Sequence, residues 1–163
     1  MKKIEELNLK FVTLEHPPIH TVEDEKKLNL PKDFMSTKNL FLIDKKLNKY
    51  FLVCMEGVKR MNIKSFQKSL GLKKLSFAKE EDLYDILGAK VGHVSILHLL
   101  NPNAFDKVDL ILDKDFLTAS KIGFHPNTND NSKTLIFENG QFKKLIEHLK
   151  LEYNVIEYDF NSL

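Results

Sequence analysis

Short apolar runs separated by polar turns fill most of this chain, and a helical period takes over near its end. Leu9 to Leu14 reads as a first strand. Pro17 and Pro18 lack backbone donors and restrict the residue before them, so regular structure stops at His16. Thr21 is placed to cap a helix over Val22 to Leu28, with Asp24 three residues on, and Pro31 closes that unit. Asn39 to Asp44 and Tyr50 to Glu56 flank the polar turn Lys45 to Lys49, which predicts a hairpin. Both runs are almost continuously apolar, so both faces of that hairpin should be covered.

Ile63 to Leu70 predicts a helix that stops at Gly71, followed by a short strand over Leu75 to Phe77. Glu80, Glu81 and Asp82 open the next helix, Leu83, Ile86 and Leu87 form its apolar face, and Gly88 stops it. Val108 to Asp113, Lys121 to Phe124 and Lys133 to Glu138 read as strands, with a helical turn at Phe116 and Leu117. Phe142, Leu145, Ile146 and Leu149 recur at helical spacing behind a cap at Asn139, and Val155 to Tyr158 adds an edge strand. Hairpin connections interleaved with helices predict an α/β fold of the α+β-like kind, a mixed sheet with helices packed on it.

Composition narrows the function classes. The chain has 163 residues, 25 basic and 23 acidic, for a net charge of +2. That length predicts a single domain over residues 1–163. So small a charge argues against binding long nucleic acid through a basic field, while leaving contacts to a few phosphates open. The lone Cys54 forms no intramolecular disulfide, and its apolar neighbours predict a buried thiol. Neither a signal-peptide core nor an apolar run of about 18 residues is present, so a cytoplasmic protein without a membrane span is expected.

The familiar phosphate-loop, dinucleotide, hydrolase-elbow and zinc motifs are all missing. His16 and His20 are four apart, but Pro17 and Pro18 between them forbid the helix that would pair them on a metal. His93 and His98, five apart, do not share a helical face, and His148 falls on the polar side of the last helix. Two segments stand out. Lys38, in Ser36 to Phe41, sits at the entry to a buried strand, where packing fixes its stem and leaves its ammonium for an anion or carbonyl. His125, in Gly123 to Asn129, ends a strand and opens a stretch rich in amides and hydroxyls. Residue chemistry alone leaves a snorkelling lysine and a plain turn as alternatives.

The order of TKNLFLID (Thr37 to Asp44), YFLV (Tyr50 to Val53), LSFAKEEDLYDILG (Leu75 to Gly88), a loop led by Gly92, VDLILD (Val108 to Asp113) and FHPNTN (Phe124 to Asn129) resembles the YbaK/prolyl-tRNA-synthetase-associated editing-domain family. His16-Pro17-Pro18 followed by Thr21-Val22-Glu23 fits as well. TKNLFL looks more like the free-standing, ProX-type branch, which deacylates alanyl-tRNA(Pro), than the cysteinyl-tRNA(Pro) deacylases. The resemblance implies a strongly curved mixed sheet with surrounding helices and a pocket at one side. It implies Lys38 and His125 as catalytic residues, Gly92, Ile96 and Asn129 as substrate-binding residues, and no metal or cofactor. Ile96 stands where the family has proline, and Asp130-Asn131-Ser132 replaces a small TAT-like stretch, so substrate identity departs first.

The implied substrate is the 3′ end of aminoacylated tRNA(Pro), with prolyl-tRNA synthetase as the candidate protein partner and no membrane. A non-catalytic binder of charged tRNA or free amino acid, a cysteinyl-tRNA(Pro) deacylase, and an unrelated small-molecule hydrolase on the same fold are the alternatives. Lys59, Arg60, Lys64, Lys68, Lys73 and Lys74 form either an acceptor-stem patch or a solvated face.

Overall fold

The computed structural model describes residues 2–19, 21–28 and 33–162. His20 and Pro31 therefore lie outside the described residues. Strands β1 (Val12–Glu15), β2 (Met35–Asp44), β3 (Lys49–Glu56), β4 (Leu75–Phe77), β5 (Val108–Asp113), β6 (Lys121–Phe124), β7 (Lys133–Glu138) and β8 (Val155–Tyr158) form one mixed sheet. Its order is β1-β7-β6-β2-β3-β5-β8, with β4 on the far end of β2. The predicted hairpin is present: β2 and β3 run antiparallel from Thr37 opposite Glu56 to Asp44 opposite Lys49. β3 and β5 are parallel, as are β5 and β8, while β7 runs antiparallel to both β1 and β6.

Helices α1 (Lys2–Glu6), α2 (Val22–Lys27), α3 (Ile63–Ser69), α4 (Glu80–Asp82) and α5 (Asn139–Glu152) surround the sheet. Phe41, Leu52, Cys54, Leu110 and Leu112 join Phe142, Leu145 and Leu149 of α5 in the larger core. Leu42, Phe51, Val53, Met55 and Ile111, the residues in between, join Phe66 of α3 in a smaller one. This is the two-faced burial that the continuous apolar runs predict. Cys54 is fully buried, and burial pushes its thiol pKa well up. That makes it a core residue rather than a nucleophile.

Four local expectations change. The first strand begins at Val12, not Leu9, because Asn8 turns the chain at φ 53° and Leu9 drops into the larger core. The helix after Glu80 widens into a π-turn over Leu83–Leu87, which Gly88 ends at φ 70°. Asn139 is the first residue of α5, not its cap. Its amide instead donates to the carbonyls of Phe116, Leu117 and Ala119 and ties the helix to the neighbouring turn. His148 is half-buried rather than solvated, with Nε2 enclosed.

Candidate functional site

β2 is long enough to take two partners along one edge. Met35 and Ser36 pair in parallel with Ile122 and Gly123 of β6, and Leu42 to Asp44 pair with β4. Between them the edge is released from its ladder. β2 and β6 part after the Ser36–Gly123 rung, and Lys38 and His125 each lie two residues beyond it. Side chains alternate across a strand. Met35 and Phe41 of β2, and Ile122 and Phe124 of β6, pack in or against the larger core. Ser36, Lys38, Gly123 and His125 therefore share the opposite face.

A small cleft of about 30 Å³ opens where the strands part, lined by Phe34, Ser36, Thr37, Gly123, His125 and Thr134, with Ile19 and Phe124 completing it. Gly123 is required there. A Cβ at that position would come within 2.7 Å of the Phe34 ring and 2.9 Å of Thr134 Cγ2. The Thr37 hydroxyl donates to the Gly123 carbonyl at 2.8 Å and spans the gap between the two strands.

Lys38 borders this cleft through Thr37, and its ammonium donates to the Lys59 carbonyl. Burial lowers its pKa, and the neighbouring Arg60 lowers it further. The Lys59 side chain is pinned by Asp113 at 2.8 Å and Asp115 at 2.6 Å. Burial alone would lower the Lys59 pKa, but those two carboxylates raise it. Asp113 is fully buried and also accepts from the Glu56 and Asp115 backbone N–H groups. Lys59 is thus committed inside the protein and leaves the basic series suggested for an acceptor stem.

His125 Nδ1 lies 3.3 Å from the Lys133 carbonyl. The segment after it is held by amides. Asn129, at φ 59°, accepts from the Lys90 backbone N–H at 3.0 Å and donates to the Gly88 carbonyl at 2.9 Å. Asn127 donates to the Leu97 carbonyl. Gly92 turns the facing loop at φ 81° with open space where a Cβ would be. Ile96 is fully buried in the larger core, at the start of a 3-10 turn over Ile96–Leu100. So the cleft lining includes His125 and the residue before Lys38, whereas Gly92, Ile96 and Asn129 are not among its lining residues.

His98 is a residue the sequence did not single out. It closes a capping box in which the Ser95 backbone N–H donates to its Nδ1 at 3.0 Å. It is 1% exposed, and burial takes its pKa down to about 4, with His93 and His125 near enough to add to the effect and Asn129 opposing it. The spacing of Ser95 and His98 was the available signal. Among the described residues, no group of three or more His, Cys, Asp or Glu could hold a metal ion, and no helix is long and apolar enough to cross a membrane.

A family model described as the aminoacyl-tRNA editing domain matches residues 16–144. The prolyl-tRNA editing protein ProX of Acetoanaerobium sticklandii is 31% identical over 155 residues, covering 95% of this chain and 93% of that protein. Prolyl-tRNA synthetase associated domain-containing protein 1 of Danio rerio is 27% identical over 162 residues, 97% of this chain and 87% of that one. Among solved structures, the hypothetical protein APE2540 superposes with a TM-score of 0.71 at 22% identity, over 95% of both chains. A candidate trans-editing enzyme for prolyl tRNA synthetase gives 0.64 at 16%, over 90% of this chain and 85% of that one. At these identities the two structures bear on the fold alone.

Proposed function

The chain belongs to the aminoacyl-tRNA editing-domain family, and from that premise we propose that it is a trans-editing deacylase for mischarged tRNA(Pro), acting on the alanyl ester as a single domain. The supporting observation is the 31% identity to a prolyl-tRNA editing protein along nearly the full length of both chains. The reading assigns the chemistry to the cleft where β2 and β6 part.

The reaction asks little of the protein. Water attacks the ester carbonyl, an oxyanion forms, and collapse expels the ribose oxygen, which takes up the proton that the water gives. The ester is activated by the neighbouring ribose hydroxyl, so positioning and charge stabilisation suffice without a triad or a metal. We assign Lys38 to the negative charge of the terminal phosphate or the developing oxyanion. One of its three N–H donors is used by the Lys59 carbonyl, which leaves two for substrate. The substrate's α-ammonium is itself positive and must sit away from Lys38. His125 is assigned to the ester or the wall of the amino-acid pocket. Gly92, Ile96 and Asn129 are assigned to shaping that pocket from outside the cleft lining.

Alanine is favoured because a synthetase built for proline cannot exclude a smaller side chain well by binding. Each missing methylene is worth only about 1–3 kcal/mol. A second, narrower site admits alanine and keeps proline out. Incubating the purified protein with alanyl-tRNA(Pro) tests the reading: release of alanine above the spontaneous rate supports it, and no release refutes it.

A further inference from the structure

The geometry points to Thr134 as a hydrogen-bond acceptor for the α-ammonium of the aminoacyl group, with His16 as the residue that commits it to that role.

His16 Nδ1 lies 2.8 Å from the Pro17 carbonyl. A carbonyl only accepts, so Nδ1 carries the hydrogen. In the neutral ring Nε2 is then the acceptor, and it lies 2.8 Å from Thr134 Oγ1. The Thr134 hydroxyl therefore donates to His16. Thr134 lines the cleft. With its proton already spent inside the protein, its oxygen has only lone pairs to offer a molecule that enters.

The segment carrying His16 is fastened in place. The His16 backbone N–H donates to the Ser132 carbonyl at 2.9 Å, Ile19 N–H donates to the Asn131 carbonyl at 3.1 Å, and the Asn131 amide returns a bond to the Ile19 carbonyl. The two prolines that end the first strand thus lay His16 along β7, behind Thr134. The Lys38 ammonium donates to the Lys59 carbonyl. An acceptor-only hydroxyl in the cleft suits a cationic donor, and the proposed substrate carries one next to its scissile carbonyl. This inference rests on the deacylase reading for the identity of the ammonium.

Two readouts separate the two ideas. The first is binding of non-hydrolysable 3′-amide analogues of the aminoacyl-adenosine end, one alanyl and one lactyl, in which a hydroxyl replaces the ammonium. The second is deacylation of alanyl- and lactyl-tRNA(Pro). Thr134→Val should weaken the alanyl substrate and analogue about tenfold or more, and the lactyl pair about threefold or less, because a charge-assisted bond is lost in one case and a neutral one in the other. Thr134→Ser should behave as the parent. Equal losses on both members of a pair, equal binding of the two analogues to the parent, or binding of neither would overturn the acceptor site. A parent that prefers the alanyl analogue, and loses that preference in Thr134→Val, keeps the acceptor site even if it releases no alanine, which would sink the deacylase reading alone.

Discussion

Lys38 and His125 each stand two residues past the last rung that joins β2 to β6, on the same face of the sheet. Eighty-odd residues of chain separate them; His125 lines the cleft that opens where the two parallel strands part, and Lys38 follows the lining residue Thr37. Lys38→Ala should lower kcat/KM for deacylation about a hundredfold or more while leaving the unfolding midpoint nearly unchanged, as for loss of one oxyanion donor. Lys38→Arg should not restore it, because a planar fork does not fit a site held as a point charge. Single-turnover kinetics beside urea unfolding measures both.

Asn129 holds Gly88 and Lys90 by two hydrogen bonds, so its loss should show as both loosening and misplacement. Asn129→Ala should cost about 1–3 kcal/mol of stability, and kcat should fall with it. Asn129→Asp keeps the acceptor to Lys90 but loses the donor to Gly88, and should lie between the two. Denaturant titration of the three proteins ranks them.

Asp113 anchors Lys59, whose carbonyl holds Lys38. Asp113→Asn should cost about 2–4 kcal/mol, since it leaves a mostly buried ammonium with one exposed partner in Asp115. Asp115→Asn, at the more exposed end, should cost about 1 kcal/mol or less. Unfolding free energies of the two variants test the order.

The pH dependence of stability follows from His98. Burial lowers its folded pKa to about 4 from an ordinary 6.5. A histidine held neutral contributes stability that is complete above pH 6.5 and is lost as pH falls from there towards 4, because the unfolded chain takes up the proton first. The full span is worth about 3 kcal/mol. His98→Gln should flatten the slope of unfolding free energy against pH across that interval; an unchanged slope would contradict the assignment.

Most of the fold was legible because its strands are short apolar runs between strong turn residues. Asn39 to Asp44 and Tyr50 to Glu56 could hardly be anything but paired strands. The first four residues of β2, Met35 to Lys38, were not legible. Met35 and Ser36 are strand because Ile122 and Gly123, far along the chain, offer them a ladder. Asn139 misled for a related reason: a side-chain amide suits a cap, but three carbonyls from the preceding turn claim it.

The site was legible unevenly. Lys38 and His125 were marked by their positions at strand ends. Thr37 and Thr134 carried no signal, since a threonine in a strand is ordinary and only the partner of its proton gives it meaning. Ile96, nominated through its place in the Gly92 loop, is packed wholly into the core. The buried His98 could have been found only by noticing Ser95 three residues before it.

The most direct test is side-by-side deacylation of tRNA(Pro) charged with alanine, serine, cysteine or proline. The account predicts that the alanyl ester is cleaved fastest and the prolyl ester slowest. Fastest cleavage of the prolyl ester, or no cleavage of any of the four, would contradict it.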